Sequence, residues 1–422
     1  MIISDIQAWG IYDSRGRPTV AAEVTLSDGS CGICGVPGGA SVGQKEALER
    51  RDHSDRLDGL TVDCVITDIN QDLRSALVGQ SYESQSDFDH RLLSLDGDPL
   101  KSRYGSNASL ALSVAYAKAM SRSRHQELFL YLIQGSSAVR HIPIPWLNFI
   151  NGGAHVTQGL SIQEFMIVPH GFTHIKDALE AGVSVYMTLR KMLKEMGHST
   201  LIGDEGGFAP SLRHTHEALH LLMEAIHRAG YKCGSDISLA LDVAAQECMS
   251  GEHYHIDGQV YDRYQWAEFL IELVQDFPIL SIEDAAGEND WECWATLMRE
   301  IGQGTWLIGD DLFATQVAHI KEGVVRDAAN AALIKPNQVG TLTETLAAVS
   351  YAQKQNMLTC MSHRSGDTED AFISDCAVAW GLCGIKAGAC ARSERLSKYN
   401  RLLTIAHKNP GLHLAQLPAI DM

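Results

Sequence analysis

The chain has 422 residues, 45% of them hydrophobic and 20% charged, which is too long for one ordinary domain and apolar enough for an ample core. Its 34 Lys and Arg against 52 Asp and Glu leave a net charge of -18, which repels phosphate backbones and argues against a nucleic-acid partner. No uncharged apolar run approaches the ~20 residues of a membrane span, and Met1-Ile2-Ile3-Ser4-Asp5 lacks the basic region and long apolar stretch of a secretory signal, so a cytoplasmic protein is expected.

Residues 1 to about 60 are rich in Val, Thr, Ile and Gly, and the alternation over residues 19–26, closed by Ser27-Asp28-Gly29, predicts a small antiparallel sheet. Among 10 scattered cysteines, Cys31 and Cys34 have a C-x-x-C spacing with no second pair to complete a zinc site. On a strand that offset puts the thiols on opposite faces, so both are expected to be reduced and structural. Residues 62–132 read as helical, and small and apolar side chains over residues 108–119 predict a helix buried nearly all round. Gly135-Ser136-Ser137 followed by Ile142-Pro143-Ile144-Pro145 is the best boundary signal, dividing the chain into residues 1–138 and 139–422. The lack of a long linker predicts that the two parts pack tightly. Residues 394–422 read as a helix with a frayed tail.

Beyond the boundary, short apolar runs end in Asp242, Glu283, Asp310, Lys335, His363 and Lys386, at intervals of 41, 27, 25, 28 and 23 residues. A strand, a loop, a return helix and a second loop consume about that length, so this cadence predicts consecutive βα units of a closed parallel barrel. Groups at the C-terminal ends of such strands converge on one mouth. Three carboxylates and two lysines would meet there, and like charges so close call for an oxygen-loving divalent cation, most simply Mg²⁺. A small anionic substrate is compatible with the acidic chain, because the ion and nearby lysines set the local field. The pattern is that of an enzyme.

Asp204-Glu205-Gly206-Gly207-Phe208-Ala209-Pro210, Ser281-Ile282-Glu283-Asp284, Lys335-Pro336-Asn337-Gln338 and Ser362-His363-Arg364-Ser365-Gly366 resemble the motifs of the enolase family. The likeness starts at Asp13-Ser14-Arg15-Gly16 and runs in family order to Lys398-Tyr399-Asn400. It implies an α/β fold with a small N-terminal α+β lid domain ahead of an enolase-type (β/α)8 barrel with an irregular ββαα start. It also implies a homo-oligomer, dimeric or larger, and Mg²⁺-dependent dehydration of 2-phosphoglycerate to phosphoenolpyruvate, a step of glycolysis and gluconeogenesis. By that resemblance Asp242, Glu283 and Asp310 are ligands of a first Mg²⁺, and Ser41, in a mobile loop at Gly38-Gly39-Ala40-Ser41, is a ligand of a second that arrives with substrate. Lys335 is the general base, its pKa lowered by nearby cations. Lys386 contacts the substrate carboxylate. Glu205 protonates the departing hydroxyl, with Glu164 beside it to share a proton and Gln163 behind. Arg364 and Ser365 take the phosphate, whose geometry suits a guanidinium fork, and His155 and His363 lie near the substrate.

The chain departs from the family pattern at several places. Gly38 and Val42 each replace a hydroxyl beside Ser41, Ala285-Ala286 stands where Pro-Phe is usual, Val156-Thr157-Gln158 follows His155 where Ala-Gly-Asn is common, and Cys390 replaces another small residue. These changes leave every catalytic group in place but touch loops around the substrate. They motivate an alternative: a paralogue performing the same elimination on a related compound of a phosphonate or phosphinate pathway, in the manner of carboxyphosphonoenolpyruvate synthase.

Overall fold

The computed structural model describes residues 1–39, 45–134, 136, 138–153 and 159–418. Strands β1 (Ile3–Tyr12), β2 (Pro18–Leu26) and β3 (Cys31–Gly35) form an antiparallel sheet in chain order. Its inner face, including Ile6, Val20, Val24 and Cys34, is buried and packs on the helix Ser106–Ser123. That helix is buried on almost every side, as its composition predicts. The approach is close enough to require glycine, since a Cβ on Gly32 would lie 2.1 Å from the Ala115 carbonyl oxygen. Cys34 faces inward and Cys31 outward on β3, and all ten cysteines are free.

This is the small antiparallel sheet that the alternation predicts. Residues 45–55 carry no strand, and Arg50 and Arg51 there donate to Asp68 and to the Leu60 carbonyl. The tail differs from expectation. The last helix is Ser393–Lys408, and the chain beyond it is pinned through Ile142, whose N–H donates to His413 O at 2.9 Å and whose carbonyl accepts from Ala415 N–H at 2.8 Å.

The second part contains β4 (Ile144–Asn151), β5 (Glu164–Val168), β6 (Ser238–Asp242), the short β7 (Met249–Ser250), β8 (His253–Ile256) and β9 (Gln259–Tyr261), then β10 (Ile279–Glu283), β11 (Trp306–Gly309), β12 (Ala331–Ile334), β13 (Leu358–Ser362) and β14 (Gly384–Lys386). Eight of these close a barrel in the order β4-β5-β6-β10-β11-β12-β13-β14. The cadence is confirmed from β6 onward: each of the six runs is a strand, and each named side chain is its last residue or the next one. Two features differ from a uniform parallel barrel. Strand β5 runs antiparallel to both neighbours, with helices Ile175–Glu195 and Thr215–Arg228 following it, which is the irregular start that the resemblance implies. The long 41-residue interval after Asp242 contains the small antiparallel sheet β7–β9.

The two parts are stitched together by Lys101 on Glu344 at 2.8 Å and Lys118 on Asp370 at 2.6 Å. Buried Asp89 accepts from the Thr343 N–H at 2.9 Å, at the start of the helix Leu342–Lys354. Among the described residues no helix is long and apolar enough to cross a membrane.

Candidate active site

Strand register builds one wall of the barrel mouth. Asp242 pairs across from Glu283 in the parallel ladder β6/β10, and Glu283 pairs with Ile308, two residues before Asp310. Glu164 pairs with Asp242 on the other side. It is the first residue of its strand, and it reaches the mouth because β5 runs backwards. Lys386 rises from the end of β14 into this ring: its Nζ lies 2.6 Å from Asp242 Oδ2, 2.9 Å from both Glu283 oxygens and 3.2 Å from Glu164 Oε1. Lys335, one residue past β12, donates to Asp310 Oδ2, while Gln338 Nε2 donates to Asp310 Oδ1 at 3.0 Å. All of these groups are nearly or fully withdrawn from water, and Glu164, Asp242, Asp310, Lys335 and Lys386 line one cleft.

Burial and then repulsion, chiefly from Asp242, hold Glu283 well above the usual carboxylate range. Burial and then Glu205 do the same to Glu164, against the pull of Lys386. Burial alone would raise Asp310, but the Lys335 ammonium outweighs it and holds Asp310 low. Lys335 itself is shifted upward, not down: burial disfavours its charge, and the Asp310 carboxylate overcomes that penalty.

A tighter acidic group lies beside this ring. Oxygens of Asp284, Asp310 and Asp311 fall within 4.8 Å of one another, and Asp242 and Glu283 are not part of that group, because Lys386 gathers them. Asp284 has a structural reason to be there: its carboxylate accepts the backbone N–H groups of Asp310 at 2.9 Å and Asp311 at 3.0 Å. Burial and then Asp310 push the Asp311 carboxyl up to about 7.

The opposite wall is made of loops. Glu205 sits in the glycine-rich turn between the two helices that follow β5, where Gly203 N–H bonds Gly207 O at 2.8 Å and Gly206 has φ +88°. A Cβ on Gly207 would come within 2.1 Å of Asn151 Oδ1, so the motif glycine lets the loop lie against β4. Glu205 O accepts from Ala389 N–H at 2.8 Å, which ties the loop to the end of β14. Its carboxylate Oε2 lies 3.3 Å from Asn148 Nδ2 and 3.4 Å from His363 Nε2. Burial lowers the His363 pKa to about 4. Gln163 is a neighbour of the ring, with Nε2 at 3.4 Å from Asp242 Oδ2.

At a third edge Arg364 donates to Glu46 Oε2 at 2.8 Å, and Ser365 Oγ lies 3.4 Å from Arg15 Nη1. Ser41 and His155 lie outside the described residues. The structure thus brings Glu164, Glu205, Asp242, Glu283, Asp310, Lys335, His363, Arg364, Ser365 and Lys386 to one cleft or its lining, with Gln163 at its edge. Reading the sequence passed over Asp284, Gln338, Asn148, Glu46 and Arg395. Asp284 and Gln338 stand inside quoted motifs and so carried a signal; Arg395 lies in an ordinary-looking helix and carried none.

Nearly the whole length of the chain has relatives. Residues 3–132 match the family described as Enolase, N-terminal domain, and residues 139–410 match Enolase, C-terminal TIM barrel domain. The chain is 45% identical over 405 residues to an enolase of Campylobacter jejuni strain RM1221, covering 96% of this chain and 97% of that protein. It shows the same identity and coverage to the enolase of Campylobacter jejuni strain 81-176. With the barrel closed, the motifs on its mouth and both family matches in register, the chain belongs to the enolase family and is a lyase of the phosphopyruvate hydratase type.

Proposed function

We propose that this lyase removes water from 2-phosphoglycerate, with Lys335 taking the proton beside the carboxylate and Glu205 giving one to the departing hydroxyl. The observation that carries the proposal is the placement of these groups around the barrel. Strand β12, which presents Lys335, and strand β5, which presents Glu164, are four strands apart in either direction. A substrate bound between them would meet a base on one side and a pair of carboxyl groups on the other.

The donor set suits a hard divalent cation. Asp242, Glu283 and Asp310 offer oxygens from three successive strands, and the ring they form with Glu164 already gathers the Lys386 ammonium. Glu164 Oε2 has no hydrogen-bond partner among the described residues. We assign the first Mg²⁺ to Asp242, Glu283 and Asp310, and the second to Ser41. Mg²⁺ there would supply Lewis-acid stabilisation of the charge that develops on the substrate carboxylate.

Lys335 can act as a base only after losing the proton that Asp310 now helps to hold. Asp310 cannot serve Lys335 and a divalent cation equally, so loading the site loosens that hold. Lys386 has the reach to shift from the carboxylate ring to a substrate carboxylate. Glu164 and Glu205 repel each other in a buried setting, which favours one shared proton and keeps an acid available. Arg364 and Ser365 are placed to take the phosphate, Arg364 by exchanging its partner Glu46. His155 would join the substrate contacts.

Of the described departures, Ala285, Ala286 and Cys390 stand outside the lining of the cleft, whereas Gly38 N–H donates to Gly366 O at 2.7 Å, next to the Arg364-Ser365 pair. Ala285 and Ala286 are buried, with Ala285 O accepting from Trp266 Nε1 at 2.8 Å, and Cys390 packs against Gly182. The 45% identity to an enolase over 96% of the chain supports 2-phosphoglycerate over a phosphonate or phosphinate analogue. Purified protein with Mg²⁺ should convert 2-phosphoglycerate with a rise in ultraviolet absorbance from the enol product. Negligible turnover by folded, metal-loaded protein would overturn this reading in favour of the related substrate. A lid at residues 1–138, a cytoplasmic location and a homodimer or larger assembly belong to the same proposal, and sedimentation of the purified protein tests the last.

A further inference from the structure

Arg395 is fully buried, and a buried guanidinium is costly unless its N–H groups are used. Here they bind the backbone around the acid wall: Nη1 donates to Arg364 O at 2.8 Å, and Nη2 donates to Ser365 O at 2.6 Å and Asp204 O at 3.1 Å. The stem is fitted as closely as the head, since a Cβ on Gly388 would lie 2.8 Å from Arg395 Cδ. One further contact has no backbone role. Arg395 Nη1 lies 2.5 Å from His363 Nδ1.

Arginine can only donate, so Nδ1 must be the acceptor and can carry no proton. A neutral imidazole has one N–H, which is then on Nε2; an imidazolium would set an Nδ1–H against the arginine N–H. His363 Nε2 faces Glu205 Oε2 at 3.4 Å, and Asn148 Nδ2 reaches the same oxygen at 3.3 Å. Two donors converge on Oε2. A proton held by Glu205 is therefore placed on Oε1.

We infer that Arg395 is a positioning residue, which fixes His363 as the neutral Nε2–H tautomer so that the Glu205 carboxyl presents its proton from Oε1. This rests on the reading of Glu205 as the acid, but its first half is a statement about His363 alone. It assigns His363 no proton to transfer: the imidazole orients the acid and stays neutral through the cycle.

Nitrogen-15 NMR of histidine-labelled protein tests it without substrate. The His363 signals are identified among 18 histidines by their loss in His363→Gln. The wild-type protein should show His363 neutral, protonated on Nε2 and bare on Nδ1, throughout the neutral range. An Nδ1–H tautomer or an imidazolium at pH 7 would overturn the inference. Arg395→Lys, which keeps a donor, should keep the tautomer and most of the turnover, whereas Arg395→Met should mix the tautomers and lower kcat by about 10²-fold, the scale of a misplaced reacting group. The wild-type spectrum decides the question even if Arg395→Met fails to fold. Wild-type protein with the Nε2–H tautomer but no turnover of 2-phosphoglycerate would sink the functional reading and leave this one standing; turnover with an Nδ1–H tautomer would do the reverse.

Discussion

The two walls of the cleft are built in different ways. The lysine wall stands on parallel strands, where register alone lines up Asp242 and Glu283 and puts Asp310 and Lys335 just past the ends of the next two. Glu164 joins that wall from a reversed strand, and the carboxyl wall facing it presents Glu205 from a glycine-rich loop held by Asn148, His363 and the Ala389 backbone. On the first wall the Lys335 ammonium holds Asp310 low, although burial and the Asp242 charge raise Glu283. Where Glu164 meets the second wall, burial and the Glu205 charge raise its carboxyl. In the proposed reaction the first wall gathers cations and the second keeps a proton, the asymmetry that a proton abstraction followed by loss of hydroxide requires.

The largest effect that sharpens this contrast is on the lysine wall. Lys335→Ala should lower kcat by about 10⁴-fold with the circular dichroism spectrum unchanged, the upper range for a general base; near-normal turnover would remove the base assignment. Glu205→Gln, on the other wall, should lower kcat by about 10³-fold with little change in KM, since the amide keeps the shape but offers no comparable acid. Equal defects in kcat and KM would instead point to substrate binding.

The next effect is on stability. Lys386→Met removes the ammonium shared by Glu164, Asp242 and Glu283, and leaving buried charges uncompensated should cost roughly 3–5 kcal/mol. Added Mg²⁺ should return part of the lost melting temperature, because a ligand that binds the folded state stabilises it by mass action. A melting temperature unaffected by both the substitution and the metal would mean that this ring is not a cation site.

The smallest effect falls outside the cleft and shows what a buried carboxyl does without a catalytic partner. Burial raises Asp89 from 3.8 to about 6. A folded-state pKa above the unfolded one means that the folded protein binds the proton more tightly, so Asp89 should subtract stability as pH rises from about 4 to about 6. Asp89→Asn should flatten that slope and raise stability at pH 7 by at most about 3 kcal/mol. Thermal melts of both proteins across this range check the sign; a wild type that gains stability relative to the variant over the same window would contradict it.

The same division explains what could be read from the sequence. Asp242, Glu283, Asp310, Lys335, His363 and Lys386 were legible from spacing because a parallel barrel repeats its strand ends. Glu164 obeys no such spacing: it starts a strand that runs the other way, and only its likeness to a family position marked it. Glu205 was visible through the glycines around it. The short sheet β7–β9 hid inside one long interval, since its strands have only two to four residues each. The upward shift of Lys335 could not be read at all, as it depends on Asp310 being its hydrogen-bond partner in space. Arg395 is illegible for the same reason, 32 residues from the histidine that it touches.

The division of labour between the walls is tested most directly by following deuterium exchange at the carbon beside the carboxylate of 2-phosphoglycerate in heavy water with Mg²⁺. Glu205→Gln should still exchange that hydrogen while forming almost no enol product, and Lys335→Ala should do neither. Exchange that survives in Lys335→Ala and vanishes in Glu205→Gln would contradict the account, because it would put the base on the carboxyl wall.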